Sequence, residues 1–188
     1  VELLKAVFIS SKSHKKQLLI SHKKSANLCF FLKKLIRNDV LIINTNWGVE
    51  IYYNSLLDYS NSILNSFLLF LSKKSAMAND YNVVFIKDTT AFTQRSTLYF
   101  SKLANMPLGF SNYSKSVLHQ LNIYENNTVK KMIFKAWQES LLTIFKNQKS
   151  SKKIYPFLTM LQYAHLETNY SPLLKKLLRG TLSSLRSN

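Results

Sequence analysis

The sequence predicts an α/β domain whose mainly parallel, Rossmann-like sheet lies between two layers of helices. One observation is the segment 37–58, where a short apolar run is followed by a polar turn and an amphipathic pattern. A second is that apolar runs and helical patterns continue to alternate up to about residue 146. Such alternation is typical of parallel sheets with helical crossovers. We therefore expect a core domain at 38–146 between basic extensions, 1–37 and 147–188.

The N-terminal extension combines short apolar patterns with many lysines. Residues 3–9 are mostly apolar and are compatible with either a short helix or a strand. Residues 27–36 have the periodicity of a helix with one apolar and one basic side. We expect the apolar side to contain Leu28, Phe31, Leu32 and Leu35, and the basic side to contain Lys33, Lys34 and Arg37.

The segment 37–58 is interpreted as the first strand and helix of the core. Val40 to Ile43 are consecutive apolar residues, as in a strand buried on both faces. Asn46 is placed to cap a following helix, and Glu50 in its first turn would interact favourably with the helix dipole. The predicted apolar side of this helix contains Val49, Tyr52, Tyr53, Leu56, Ser60 and Ile63.

Three more strands are predicted downstream. The apolar residues 67–71 and the β-branched-rich residues 83–88 are expected to be buried strands. Residues 105–110 are expected to be a short strand, placed at an edge because it contains a proline. A helical bundle that includes 40–43 and 67–71 is the weaker alternative, since both runs are short and have turn-forming flanks.

Helices are predicted where apolar residues recur every three or four positions. Thr89 or Thr90 is expected to cap a helix that runs to about Ala104, and Asn126 or Asn127 to cap the clearest helix of the chain. The predicted buried face of that last helix contains Val129, Met132, Ile133, Ala136, Trp137, Ser140, Leu141 and Ile144. Two tail helices are expected, one from Pro156 with Phe157, Met160, Leu161 and Ala164 on one face, and one at 171–180.

Positive charge is concentrated at both ends of the chain. The 188 residues contain 26 Lys and Arg against 9 Asp and Glu, a net charge of +17. Residues 1–37 hold nine basic residues and one acid, and residues 146–188 hold eight and one. Residues 38–145 hold nine and seven, so they are nearly neutral. This distribution predicts a folded domain that is held on a polyanion by its basic ends.

We expect a nucleic-acid polyanion to be bound mainly through its phosphates. Lysine and arginine release counterions from phosphates whatever the base sequence, and such contacts position a protein more than they read sequence. The Phe and Tyr residues occur mainly at core spacing, so no exposed base-stacking array is predicted. The candidate RNA-binding residues are Lys12, Lys15, Lys16, Lys23, Lys24, Lys33, Lys34, Arg37, Lys73, Lys74, Lys149, Lys152, Lys153, Lys175, Lys176 and Arg179.

No arrangement of residues indicates an enzyme, a metal site or a cofactor. The three glycines are isolated, so neither a dinucleotide fingerprint nor a phosphate-binding P-loop is present. The four histidines lack metal-ligand spacing with Cys29, which is expected to be a small core residue. Asp88 ends a predicted strand, a common catalytic position, but is interpreted as a capping or turn residue. We expect no catalytic activity and no small-molecule substrate.

Composition also bears on the cellular setting. The longest apolar runs are far shorter than the roughly 20 residues that span a bilayer, and we expect neither a membrane span nor a secretory signal. Asn, Lys, Ile, Phe and Tyr are abundant and glycine is rare, which is typical of an A/T-rich genome such as an organellar one. The Ser-rich, basic N-terminus also resembles a mitochondrial presequence, although the apolar pattern at 28–35 argues against a wholly disposable leader.

Six segments resemble the motifs of one known protein family, in that family's order. They include RNDVLIIN at 37–44 and KLANMPLGF at 102–110. The others lie at 3–14, 67–76, 83–88 and 126–132. On these motifs the chain resembles the S-two family, the universal second protein of the small ribosomal subunit.

The resemblance implies a location and a set of partners. It implies an α/β core bound to small-subunit ribosomal RNA near the head–body junction, with ribosomal proteins as neighbours. Together with the composition, it implies a shortened form in the ribosome of the mitochondrial matrix. Two alternatives stay open. One is a metabolite- or nucleotide-binding α/β domain that uses Asp88 and Lys73, and the other is a basic membrane-surface protein, since the segment 171–180 also suits anionic lipids.

Overall fold

The computed structural model of the protein describes residues 3–12, 17–71, 78–147 and 156–161. These residues form four strands, five long helices, a short 3-10 helix and a helical segment at 156–161. In chain order the elements are β1 (Leu4–Ser11), α1 (His22–Ile36), β2 (Val40–Thr45), β3 (Gly48–Asn54), α2 (Ser60–Phe70), the 3-10 helix (Ala78–Asp80), β4 (Tyr81–Ile86), α3 (Thr89–Ala104), α4 (Pro107–Ile123) and α5 (Thr128–Asn147).

The four strands form one antiparallel sheet in the order β2-β3-β1-β4. The predicted parallel, Rossmann-like sheet is therefore wrong, although the chain does combine a sheet with helices in an α/β fold. The physical reason lies in the connection between β2 and β3. Only two residues, Asn46 and Trp47, join these strands, whereas a parallel pair needs a crossover of a dozen or more residues.

The order of elements, β1-α1-β2-β3-α2-β4, and the strand order together define the split β-α-β arrangement called ferredoxin-like. β1 lies inside the sheet between β3 and β4, and α1 packs against β2. The segment 1–37, expected as an extension, thus supplies a central strand and a helix of the domain. Helices α3, α4 and α5 follow this unit in the chain.

The stretch expected to begin a helix is the strand β3. Gly48 opens it with φ +142°, and a Cβ at this position would lie 2.4 Å from the carbonyl oxygen of Ile9. Only glycine fits such a backbone so close to β1. Asn46 therefore lies in a hairpin turn and caps no helix, and Glu50 lies within a strand instead of a first helical turn.

Two other predicted strands are helical. Residues 67–71 include the end of α2, where Ile63 and Phe67 are both fully buried one turn apart. Residues 105–110 include the start of α4, which begins at Pro107. Proline is favoured in a first helical turn because the N–H groups there have no acceptor within the helix, so proline loses no hydrogen bond. Each short apolar run was thus part of a longer helical pattern.

Three other predicted elements are present in the structure. The predicted strand at 83–88 corresponds to β4, and α3 ends at Ala104 as expected. Asp88, and not Thr89 or Thr90, caps α3, because its Oδ1 accepts from the amide of Ala91 at 2.8 Å. The cap of α5 is Asn127, whose Oδ1 accepts from Lys130 N at 2.8 Å, and the whole predicted face of α5 is buried.

The tail is described only at 156–161, which is helical as predicted from Pro156. Phe157 and Leu161 are buried, whereas Met160 is 44% exposed and does not share their face. Ala164 and the predicted helix at 171–180 lie outside the described residues.

The sheet separates two hydrophobic cores. On one face, side chains such as Val7 and Ile51 pack with α1 and α2. On the other face, side chains such as Leu41 and Tyr52 pack with α3, α4 and α5. Because successive side chains of a strand point to opposite faces, the fully buried β2 contributes to both cores.

The edge strand β2 is closed by side chains of α4 and of the residue that follows it. Gln120 accepts from the amide of Asn44 at 2.8 Å and donates to its carbonyl at 2.9 Å. The hydroxyl of Tyr124 donates to the carbonyl of Ile42 at 2.8 Å and accepts from its amide at 3.3 Å. These contacts occupy edge groups that would otherwise be available to pair with another strand.

Candidate functional site

Helix α1 contains or adjoins five of the predicted RNA-binding residues. It begins after Ser21, whose Oγ accepts from the amide of Lys24 at 3.3 Å, and it ends at Arg37, which has φ 57°. No acidic residue occurs between His22 and Arg37. All the charged side chains of this helix and its C-cap are therefore positive.

The basic side chains of α1 point away from the sheet. Lys23, Lys33, Lys34 and Arg37 are exposed, and Lys24 is half-buried. Lys34 extends over the ring of Phe30, with its Nζ 4.3 Å from the ring centroid. The outward face thus combines cations with an aromatic ring that is 62% exposed, a combination that suits phosphates and unpaired bases.

The buried face of α1 differs from the predicted one. Leu28 and Leu32 are buried as expected, but Phe31 and Leu35 are 43% and 39% exposed. Ser25, Cys29 and Ile36 complete the buried face. The expected role of Cys29 as a small core residue is confirmed. Its thiol contacts the carbonyl of Val40 at 3.5 Å, and burial raises its pKa.

A groove of about 330 Å³ runs between α1 and α4, beside the basic side chains. Phe30 and Lys33 of α1 line one wall, and Gln120, Ile123 and Tyr124 line the other. The groove therefore extends the exposed surface of α1 towards the sheet edge that Gln120 closes.

The remaining predicted RNA-binding residues are distributed differently. Lys12 is exposed at the end of β1, where its Nζ donates to the carbonyl of Asn79 at 2.7 Å. It is not part of the α1 surface. Ten others lie outside the described residues: Lys15, Lys16, Lys73, Lys74, Lys149, Lys152, Lys153, Lys175, Lys176 and Arg179.

A cavity of about 110 Å³ lies on the opposite face of the sheet, beside the β2–β3 turn. Glu50 supplies a carboxylate to its wall and accepts hydrogen bonds from the hydroxyls of Tyr52 and Tyr113. The Tyr113 hydroxyl lies 2.9 Å from Oε1 and 3.2 Å from Oε2. Further aromatic side chains line the cavity, namely Phe8, Trp47, Phe92, Tyr99, Phe100 and Trp137.

The carboxyl of Glu50 titrates near neutral pH. Burial raises its pKa from 4.5 to about 7, while the tyrosine hydrogen bonds and the positive charge of Arg95 limit the rise. Burial also raises the pKa of Tyr52 and Tyr113, and the Glu50 charge adds to this effect. Both hydroxyls therefore stay protonated and donate to Glu50.

Two glycines hold Trp47 at the cavity. Gly48 brings the β2–β3 turn close to β1, as described above. Gly109, in the first turn of α4, leaves room for the indole, since a Cβ there would lie 3.1 Å from the Trp47 ring. The half-buried Trp47 ring is thus positioned between a turn and a helix.

The sequence did not indicate the Glu50 cluster. Glu50 and Tyr113 are 63 positions apart, and α4 was expected to begin as an edge strand. The alternation of Glu50 and Tyr52 was the one local signal, because residues two apart share a face only in a strand. That signal was obscured by apolar residues on both faces of β3.

The rival enzyme site has no support in the contacts of Asp88, whose carboxylate caps α3, and Lys73 lies outside the described residues. Within the described ranges, no cluster of three His, Cys, Asp or Glu side chains is positioned to bind a metal. Among the helices that the structure describes, none is long and apolar enough to cross a bilayer.

Comparisons with known proteins bring no relative. Neither a protein-family model, nor a curated protein, nor a solved structure matches the chain.

Proposed function

We propose that the protein is a structural, non-catalytic component of the mitochondrial small ribosomal subunit, bound to ribosomal RNA and neighbouring ribosomal proteins. The observation that carries the RNA part is the outward face of α1. Four exposed cations, Lys23, Lys33, Lys34 and Arg37, lie on one acid-free segment of a chain whose net charge is +17. Surfaces of this kind gain affinity for RNA through counterion release.

The geometry favours binding by α1 over binding by the sheet. RNA-recognition domains of similar topology stack bases on aromatic side chains of an open sheet. Here the corresponding face carries Phe8 and Tyr52, but α3, α4 and α5 cover it, and Tyr52 is fully buried. We therefore assign the main RNA contacts to the basic side chains of α1, which bind phosphates.

The ribosomal placement is supported by the sequence motifs and the composition. The antiparallel sheet is not the parallel one expected with the S-two resemblance, so the fold adds nothing to that resemblance. The order of the six motifs and the A/T-rich composition support the small subunit and the mitochondrion. Sedimentation of mitochondrial extract tests this placement. The protein should travel with the small subunit, and it should stay with it when low Mg²⁺ separates the subunits.

RNA binding is tested with two matched triple variants. Replacing Lys23, Lys33 and Lys34 by Gln should weaken binding to single-stranded RNA about tenfold at moderate salt and lower the slope of log K against log salt by about 2. The control replaces the equally exposed Lys102, Lys131 and Lys135 by Gln. Equal losses in both variants would show that only net charge matters and would contradict a specific role of α1.

A second function, attachment to a membrane surface, is favoured by one observation. Phe30, Phe31 and Leu35 are exposed on α1 beside its lysines, and such a face also suits anionic lipids. Co-sedimentation with vesicles of anionic lipid, but not with small subunits, would select this function over the ribosomal one.

A further inference from the structure

The face of the sheet covered by α3, α4 and α5 has an opening that combines polar and aromatic groups. This is the 110 Å³ cavity at Glu50. Tyr99 and Trp47 are half-buried there and Arg95 is exposed, so the cavity is reached from solvent. The Arg95 guanidinium lies over Phe8, 5.3 Å from the ring centroid.

The polar groups of the cavity form a donor and acceptor pattern. A carboxylate has about four acceptor positions on its two oxygens. The hydroxyls of Tyr52 and Tyr113 occupy only part of this capacity. Arg95, which also lines the cavity, has five N–H donors in a fork. The cavity therefore has hydrogen-bond acceptors on one wall, hydrogen-bond donors on another, and aromatic rings between them.

We propose that this cavity binds a single unpaired guanine base of the RNA, with Glu50 accepting from its N1–H and N2–H₂ groups and Arg95 donating to its O6 or N7. The inference rests on the proposed RNA binding and adds a base-specific contact to it. The aromatic side chains supply the stacking surface, which is the usual way in which proteins hold a splayed base.

The chemistry of the bases singles out guanine. It has two adjacent N–H donors on its Watson–Crick edge, which match the two oxygens of a carboxylate. Adenine, cytosine and uracil each place an acceptor beside their donor, and that acceptor would face the carboxylate. Guanine O6 and N7 are also the atoms to which arginine donates in a bidentate manner.

The size of the cavity limits the ligand to one base. The 110 Å³ cavity is smaller than an engineered apolar cavity of about 150 Å³ that holds benzene, so no more than one six-membered ring can enter it and the rest of the nucleotide stays outside. A quaternary ammonium group would also fit aromatic walls, but the positive charge of Arg95 opposes a second cation.

The test compares nonamer RNAs that differ at one central base among uridines. Guanine should bind about fivefold or more tightly than adenine, as one bidentate contact predicts. Both tryptophans, Trp47 and Trp137, line the cavity, so stacking of the guanine should quench the intrinsic fluorescence. Replacing guanine by inosine, which lacks the N2 amino group, should remove most of the preference without any change to the protein.

Two protein variants complete the design. Glu50→Gln should lose the preference, because the amide replaces one acceptor by a donor, and thermal unfolding verifies that this variant folds. The Lys23, Lys33 and Lys34 triple Gln variant should bind both RNAs more weakly but keep their ratio.

The outcomes separate the two proposals. Equal binding of the guanine and adenine RNAs overturns the guanine site and leaves RNA binding in place. Failure to bind either RNA overturns the proposed function and the guanine site with it. A preference that survives in Glu50→Gln also overturns the assignment of this cavity.

Discussion

The two faces of the sheet are built from different side chains. The face towards α1 and α2 is mostly aliphatic, with Val, Ile and Leu side chains and the small Cys29. The face towards α3, α4 and α5 contains an aromatic network. Its edge-to-face contacts join Tyr52 to Phe92 at 5.6 Å and to Trp137 at 6.3 Å, and Phe100 to Trp137 at 5.7 Å between ring centroids.

This difference separates a closely packed face from a face that contains a cavity. Aliphatic side chains interdigitate closely and need no polar partner, so the described residues of the first face pack without a carboxylate at their centre. Large rings arranged around a carboxylate leave space between them, and the second face therefore holds the cavity at Glu50. We expect substitutions on the two faces to have different consequences.

The largest loss of stability is expected when an aromatic side chain that covers the sheet is removed. Trp137 is 2% exposed and contacts Tyr52, Phe100 and Phe157. Trp137→Ala should lower the free energy of unfolding by about 3–5 kcal/mol, measured by urea unfolding. Trp47→Ala, at a half-buried position, should cost clearly less. A loss below about 1 kcal/mol for Trp137→Ala would mean that α5 does not hold this face together.

The next effect depends on pH and concerns Glu50. Its pKa is about 7 in the folded protein and 4.5 when exposed, so unfolding releases the proton between these values. Stability should be unaffected by this group below pH 4.5, fall as the pH rises towards 7 and level off above it. The loss is about 3 kcal/mol in total.

Glu50→Gln should remove that component of the pH profile, and the exposed Glu139→Gln should not. Urea unfolding curves at several pH values between about 4 and 8 measure this pH dependence of stability. If the stability of the wild type and of Glu50→Gln changes equally with pH over this range, burial does not raise the pKa of Glu50 in the folded protein.

A smaller effect is expected at the sheet edge, where both faces meet. Gln120→Ala removes two hydrogen bonds to the backbone of Asn44 and should cost about 1–3 kcal/mol, since it leaves buried backbone groups unpaired. Hydrogen exchange of the Asn44 amide should accelerate with the loss of stability. The exposed Asn122→Ala on the same helix is the control, and an unchanged Asn44 exchange rate would argue against edge closure by Gln120.

The smallest effect on stability is expected at the outward face of α1. Replacing Lys23, Lys33 and Lys34 by Gln should change the free energy of unfolding by no more than about 0.5 kcal/mol per site, because these side chains are exposed. The same variant is expected to weaken RNA binding. A large loss of stability would show that these lysines stabilise the packing of α1, which would contradict the small effect expected from their exposure.

Long periodic patterns could be read from the sequence, whereas short apolar runs were strands at 40–43 and 83–88 as predicted but helical at 67–71 and 105–110. The face of α5 was predicted in full because eight positions between Val129 and Ile144 repeat at helical spacing, a pattern that no strand can produce. The runs at 67–71 and 105–110 are too short to show which period they follow. Their state depends on neighbours, since Phe67 is buried as a continuation of the helical face that includes Ile63.

By itself the sequence determined the positive charge of the chain, the acid-free α1, the helices α3 and α5 and the burial of Cys29, because these depend on residue type or on a long local period. Only the tertiary structure decided the direction of the strands, the state of residues 48–54 and the environment of Glu50. A strand with apolar residues on both faces has no period of its own, and its conformation is set by pairing with β1 and β2. Likewise, the raised pKa of Glu50 depends on Tyr113, which only the packing of α4 brings to it.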